Sequence, residues 1–163
     1  MRAVRPATAA ETPAAAHLAL AVPALLLALS LVGLGISSYL SYAHWANATI
    51  ACGGLGSCES VNNSKYAEMA GVPVAFFGAL SYLGMIALAL VWLWQRPSGL
   101  VWPVMSFWGL ALVGTLFSAY LTYVELFVLE AICIYCVASA SVLLASLIVS
   151  TAWVVREAQA EET

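Results

Sequence analysis

Four long runs of apolar residues constrain this chain more than any other feature of its sequence. They are Leu18–Ala43, Pro73–Gln95, Gly99–Val124 and Ala131–Val155. A helix that crosses a lipid bilayer needs about 20 mostly apolar residues, and each run exceeds that length. Because backbone polar groups in lipid must be paired within their own segment, each run is predicted to be a helix. The predicted fold is therefore all-α, an integral membrane four-helix bundle.

The charged residues exclude several classes of function. They make up only 8% of the chain, against about 25% in soluble domains. Lys and Arg together number 5, which is too few for a nucleic-acid-binding surface. The predicted spans contain no Lys, Arg or Asp, and this argues against a pump or an ion-coupled transporter. The chain also lacks a nucleotide-binding motif, so we expect no nucleotide, no metal and no nucleic acid as ligand.

The distribution of basic residues predicts the orientation of the chain in the membrane. Four spans place both termini on one side, as a cytoplasmic tail at 1–16 and a second tail at 157–163 around a bundle at 17–156. The basic residues predicted for that side are Arg2, Arg5, Arg96 and Arg156, against Lys65 alone on the other side. The positive-inside rule then places the termini in the cytoplasm. The loop 45–72, between the first and second spans, is expected outside the cytoplasm, with the protein in the plasma or inner membrane.

All four cysteines fall on this extracytoplasmic side. Cys52 and Cys58 lie in the loop, with three glycines between them, while Cys133 and Cys136 open the fourth span as a Cys-x-x-Cys motif. Residues at i and i+3 share one face of a helix, and a helix N-terminus favours the thiolate form of cysteine. Because an oxidising compartment permits disulfides, the even number suggests two pairs.

The residues alone leave two main uses of these cysteines open. Two dithiol pairs on one side of a bundle can pass two electrons by thiol–disulfide exchange, and a lipid-soluble quinone would then be a suitable acceptor. The alternative is a non-catalytic four-span membrane protein in which two structural disulfides stiffen the outer face. Zinc is disfavoured, because the two pairs differ in spacing and lie in an oxidising compartment.

The pattern resembles the vitamin K epoxide reductase family in its bacterial form, over about Ser37 to Ser150. It is carried by the segments Cys52…Cys58-Glu-Ser-Val-Asn-Asn-Ser64-Lys-Tyr66, Phe77-Gly78, Tyr120-Leu121, Phe127-Val128-Leu129 and Cys133-Ile-Tyr-Cys136. The resemblance implies a membrane thiol:quinone oxidoreductase that supports disulfide bond formation. Its partner would be a separate thioredoxin-like or DsbA-like protein on the outer side, since no fused thioredoxin-like domain is expected here.

The resemblance also implies a role for each cysteine. Cys52 would meet the partner, Cys58 would attack Cys133, and Cys136 would face the quinone. Ser64 resembles a family serine near the active site. The expected quinone-binding residues, besides Cys136, are Tyr66, Phe77 and Leu121. Without the resemblance, Ser64 would be an ordinary loop or cap serine, Tyr66 an interfacial anchor, and the other two ordinary packing residues.

Two positions depart from the animal members of the family. Val74 and Ala140 stand where those members have an Asn and a Tyr that are thought to hold the oxygen atoms of the vitamin. The resemblance therefore implies reduction of a quinone of the menaquinone, ubiquinone or phylloquinone type more directly than reduction of an epoxide. A short helix near Asn62–Ala70 is expected to form a lid over the quinone pocket.

Overall fold

The computed structural model describes residues 13–52, 57–69, 71–95 and 102–162. The elements in this part of the chain are α1 (Pro13–Trp45), α2 (Cys58–Asn62), β1 (Glu68–Met69), β2 (Val72–Pro73), α3 (Val74–Gln95), α4 (Trp102–Phe127) and α5 (Ile134–Glu162). The two strands form a small antiparallel hairpin.

The four long helices confirm the predicted all-α membrane bundle. Helices α1, α3, α4 and α5 are each long and apolar enough to cross a membrane, and the spans are Leu20–Trp45, Val74–Gln95, Trp102–Phe127 and Ile134–Gln159. Helix α1 packs against α3 and α5, and α4 packs against the same two helices, so the four helices close into a ring. The connections that carry the cysteines, between α1 and α3 and between α4 and α5, meet at one end of this ring.

The helix bounds differ from the predicted spans by a few residues. The first and third spans were predicted to end at residues 43 and 124, whereas α1 continues to Trp45 and α4 to Phe127. Both extra turns contain a polar residue whose side chain finds a partner across the bundle, which apolar patterning alone does not reveal. Similarly, α1 already begins at Pro13 and α5 runs to Glu162, within the segments predicted as tails. Residues 99–101, Arg2, Arg5 and Arg96 lie outside the described residues.

Close contact between α1 and α3 depends on a glycine. A Cβ atom at Gly33 would overlap the ring of Tyr82 on α3, which is 1% exposed. The Tyr82 hydroxyl lies 2.9 Å from Ser139 Oγ on α5, so one side chain links three helices. Small residues at such crossings let membrane helices approach closely. Tyr82 belongs to the buried core together with Leu26 and Phe107.

The segment 57–69, which we call the cap, covers one end of the bundle. Its helix is α2, at Cys58–Asn62, so the lid helix expected at Asn62–Ala70 is placed too late in the chain. The helix ends because the hydroxyl of Ser64 donates to the Val61 carbonyl at 2.8 Å, a side-chain bond that competes with a further helical turn. The hairpin follows, and Gly71 adopts φ +79°, a conformation that glycine tolerates best.

A histidine in the last turn of α1 holds the cap in place. His44 Nδ1 lies 2.8 Å from the Asn62 carbonyl oxygen, and Nε2 lies 2.9 Å from Glu68 Oε1. Each ring nitrogen of His44 therefore lies beside one hydrogen-bond acceptor, a backbone carbonyl for Nδ1 and a carboxylate for Nε2. His44 therefore joins the end of α1 to the last residue of α2 and to the first residue of β1.

Candidate active site

The structure brings all four cysteines into one cluster at the end of the bundle. The Ser57 N–H donates to the Ile132 carbonyl oxygen at 3.0 Å and so joins the cap to the α4–α5 connection. The next residue in each segment is a cysteine, Cys58 and Cys133, and both are buried, at 1% and 0% exposure. Cys52 and Cys136 pack against the same cluster. This proximity is what exchange between the two pairs requires.

The outer pair, Cys52 and Cys58, forms a disulfide, as expected for one of the two pairs. The segment that precedes it is held from two sides. The Tyr135 hydroxyl donates to the Ala51 carbonyl oxygen at 3.0 Å, and the Ala51 N–H donates to the Tyr39 hydroxyl oxygen at 3.5 Å. Tyr135 lies between the cysteines of the Cys-x-x-Cys motif, so that motif also anchors the base of the outer pair. The glycines between Cys52 and Cys58 lie outside the described residues.

The inner pair, Cys133 and Cys136, is present as two thiols. Cys133 directly precedes α5, and its Sγ accepts the N–H of Cys136 at 3.4 Å. The sulfur thus takes the place that a capping side chain has at a helix N-terminus. Hydrogen bonds from the thiol and the backbone N–H of Cys136 outweigh burial and lower the pKa of the Cys133 thiol. The Cys133 thiol is therefore a stronger acid than an ordinary cysteine thiol.

A cavity of about 350 Å³ adjoins the inner pair. Helices α3 and α4 form most of its wall and the cap closes one end. The expected pocket residues all line it, namely Ser64, Tyr66, Phe77, Leu121 and Cys136. The remaining wall is mostly aliphatic and aromatic, and the volume lies in the range of small-molecule sites. The size and the apolar wall suit a small apolar ligand, and Cys136 is among the residues that would meet it.

Val74 and Ala140, the two positions that depart from animal family members, differ in their relation to the cavity. Val74 lines it, but Ala140 is not among the lining residues, which on α5 are Cys136, Ser139 and Leu143. Ser139 is paired with the Tyr82 hydroxyl, which donates to its carbonyl oxygen at 3.1 Å. The hydroxyl groups in this part of the wall therefore come from Ser139 and from Tyr82 on α3. Ser64 uses its own proton within the cap, although its side chain also lines the cavity.

One residue of the site was missed by sequence reasoning. Glu125 was placed at the edge of the third span, but it lies inside α4, is 4% exposed and lines the cavity. Its Oε2 accepts the N–H of Cys133 at 3.2 Å, so the carboxyl group is fixed beside the Cys-x-x-Cys motif. An acidic residue in an otherwise apolar run could have been noticed, because ionisable groups at membrane depth usually serve a function.

Asn62 is a second residue that sequence reasoning did not select. Its side chain is buried and lines the cavity, while its backbone carbonyl accepts from His44. The signal was weak, because an Asn in a polar loop is ordinary. Among the residues that the structure describes, no group of three or more His, Cys, Asp or Glu side chains could hold a metal ion.

The comparison with known families agrees with this geometry. A sequence model of the vitamin K epoxide reductase family matches residues 24–151, which include both cysteine pairs, the cap and the whole cavity wall. The match extends further toward the N-terminus than the resemblance noted from the motifs, which began at about Ser37. Because this match covers most of the chain, the protein belongs to the vitamin K epoxide reductase family.

Proposed function

We propose that this protein is a membrane thiol:quinone oxidoreductase that reoxidises a separate thioredoxin-like protein outside the cytoplasm. Membership of the family implies membrane thiol–quinone oxidoreductase activity in general. One observation carries the more specific proposal. The outer disulfide and the inner dithiol share one buried cluster, and Cys136 of the inner pair also lines an apolar cavity.

The first steps pass electrons from the partner to the inner pair. A thiolate of the partner attacks Cys52, which breaks the Cys52–Cys58 bond and releases Cys58. Cys58 then attacks Cys133 in the oxidised inner pair and releases Cys136. When the partner has left with its own disulfide, the freed Cys52 attacks Cys58, so the outer disulfide forms again. Two electrons now reside on the inner pair as a dithiol, the form that the structure describes.

The last step returns the inner pair to the disulfide. A quinone, when bound, supplies the acceptor for two electrons and two protons. Phe77 and Leu121 would hold its ring, Tyr66 would close the cap side, and Cys136 would present its sulfur. The apolar wall excludes water, so hydrolytic and proton-leak reactions are suppressed. Cys133 and Cys136 lie three residues apart at the start of α5, near enough to form a bond.

The orientation and the substrate belong to the same proposal. Arg156 lies toward the end of α5 remote from the cysteines, while Lys65 is on the cap. By the positive-inside rule this supports termini in the cytoplasm and all four cysteines outside it. A quinone of the menaquinone, ubiquinone or phylloquinone type is the proposed acceptor. Val74 and Ala140 replace the polar residues of animal members, so we propose a quinone rather than an epoxide as substrate.

Trapping the intermediate tests the cysteine order. Cys52→Ser removes the group that resolves the Cys58–Cys133 bond, so this crosslink should accumulate when the inner pair is oxidised and Cys58 is free. Cys136→Ser should give the same crosslink, and Cys58→Ser should give none. Peptide mapping under non-reducing conditions identifies the bond. A crosslink between any other pair would contradict the proposed order.

Quinone turnover tests the overall reaction. Purified protein in detergent is mixed with a reduced thioredoxin-like protein and a soluble quinone, and quinone absorbance is followed. Wild type should consume quinone and Cys136→Ser should not. Cys52→Ser should fail with the protein substrate but accept electrons from a small dithiol. Absence of turnover with all three quinone types, with Cys52→Ala and Cys58→Ala equivalent, would instead favour a bundle with structural disulfides.

A further inference from the structure

We propose that Glu125 is a catalytic residue that accepts the proton of the Cys136 thiol and passes it to the quinone. The inference rests on the proposed function, since it concerns the step from the inner pair to the acceptor. The four cysteines account for the transfer of electrons, and Glu125 would account for the transfer of a proton.

The position of the carboxyl group carries this inference. Glu125 lies within a membrane span, is almost fully buried, and lines the same cavity as Cys136. One carboxyl oxygen accepts the Cys133 N–H at 3.2 Å, which fixes the carboxyl group beside the Cys-x-x-Cys motif, and Cys136 lines the same cavity. Glu125 therefore bonds to one cysteine of the inner pair and shares the cavity with the other.

In the described part of the chain, no cation is paired with this carboxyl group. Among the described residues the observed ion pair joins His44 and Glu68, at the end of α1 and on the cap. Isolated ionised carboxylates are costly to bury, so an acidic residue here needs a reason other than stability. The titratable side chains that share the cavity with Glu125 are one inner cysteine and two tyrosines.

The other titratable side chains of the cavity are less suited to take the thiol proton. Tyr82 is engaged with Ser139, and Tyr66 stands under Lys65, whose Nζ lies 5.0 Å from the tyrosine ring centroid. A neutral tyrosine hydroxyl is also a far weaker proton acceptor than a carboxylate. Glu125 is thus the acceptor that both geometry and chemistry favour.

The proposed step balances in atoms and electrons. Two S–H bonds break, at Cys133 and Cys136, and one S–S bond forms between them. The two electrons and two protons go to the quinone, which leaves as a hydroquinone. Glu125 takes the proton from Cys136 and releases it to a quinone oxygen, so the carboxylate is regenerated in each cycle. The second proton comes from Cys133.

A purely structural role makes the opposite prediction for thiol reactivity. Glu125 could serve only to hold the start of α5 through the Cys133 N–H. Its negative charge would then disfavour a thiolate on Cys136, so removing the charge would speed the reaction of that sulfur with an electrophile. If Glu125 takes the proton, removing it slows the same reaction. The sign of the change separates the two roles.

The experiment measures alkylation of Cys136 in the reduced protein with no quinone present. A small uncharged maleimide is added near neutral pH, and modified Cys136 is quantified by peptide mass spectrometry. We expect Glu125→Gln, which keeps the shape and one hydrogen-bond acceptor, to be slower by about 10-fold or more, within the range of general base catalysis. Glu125→Asp should retain part of the rate. Glu130→Gln is the matched control, because Glu130 is exposed on the same α4–α5 connection and should leave the rate unchanged.

Two further measurements keep the test decisive. Circular dichroism and thermal unfolding establish that each variant is folded. In wild type, a normal solvent-deuterium isotope effect on Cys136 alkylation is expected, and this test does not depend on whether the variants fold. An unchanged or faster rate in Glu125→Gln, or no isotope effect in wild type, would overturn the role of Glu125. Absence of quinone turnover in wild type would instead overturn the proposed function, because the alkylation assay contains no quinone.

Discussion

Gly33 and Gly35 provide a matched test of how tightly α1 packs on α3. Both are in the middle of α1, two residues apart. A Cβ at Gly33 would overlap ring carbons of Tyr82, whereas a Cβ at Gly35 would meet nothing within 4 Å. The same substitution, glycine to alanine, therefore adds one methyl group either into a filled space or into an open one.

The expected difference follows from two opposing contributions. Alanine gains about 1 kcal/mol of helix propensity over glycine at either position. At Gly33 the Tyr82 ring is rigid and buried, and overpacking of that kind costs about 1–3 kcal/mol. If the ring moves away, its hydrogen bonds to Ser139 are lost as well, at about 1 kcal/mol each. We expect Gly33→Ala to lower the free energy of unfolding by about 2 kcal/mol, and Gly35→Ala to leave it unchanged or raise it slightly.

Denaturant titration in detergent micelles, followed by circular dichroism, measures both changes. The double variant Gly33→Ala/Tyr82→Leu removes the ring that the methyl group would strike. Its loss of stability should therefore be smaller than the sum of the two single losses. Equal stability of Gly33→Ala and Gly35→Ala, or strict additivity with Tyr82→Leu, would refute the close contact between these helices.

Two other predictions concern the cap and the inner pair. His44→Ala should speed amide hydrogen exchange across the cap by about 10-fold or more, since the bond to the Asn62 carbonyl is worth about 1.5 kcal/mol. Glu68→Gln should have a small effect, because the pair of Glu68 with His44 is exposed. Unchanged exchange in His44→Ala would contradict the role of His44 in holding the cap. In a variant whose outer pair is replaced by serines, ultraviolet absorbance should show the Cys133 thiolate at a lower pH than an ordinary thiol, because the pKa of Cys133 is lowered. A thiol whose pKa is lower in the folded than in the unfolded protein stabilises the fold at pH values above its unfolded-state pKa. This contribution to stability is lost as the pH falls through the folded-state pKa. Cys136→Ala should move this titration to higher pH, and no movement would count against the hydrogen bond.

Much of the site could be predicted, but by two different routes. In a chain with four spans, the first and third connections lie at the same end of the bundle, and these connections carry the four cysteines. The structure gathers the cysteines in one cluster at that end. The pocket positions Tyr66, Phe77 and Leu121 came from the resemblance alone, because such residues are otherwise ordinary packing residues. All three line the cavity, while their contact with a quinone stays a prediction.

The errors occurred where a polar residue ended an apolar run. Glu125 and His44 were left outside the spans because a hydropathy pattern counts each polar residue as a break. Both lie within helices, and their side chains find partners outside their own helix, at Cys133 and Asn62. The lid helix was placed too late for a related reason. Ser64 bonds back to Val61 and ends α2, a choice between two local hydrogen-bonding patterns that composition does not decide.

The family resemblance indicated the class of chemistry, whereas the amino-acid sequence by itself determined the four membrane helices and the end of the bundle that carries the cysteines. These are properties of single segments, because length, apolarity and cysteine spacing act within one stretch of chain. The tertiary structure alone decided that Glu125 meets the inner pair, that His44 holds the cap, and that Gly33 admits the ring of Tyr82. Such contacts depend on the rotation and register of one helix against another, which arise only when all four helices pack together.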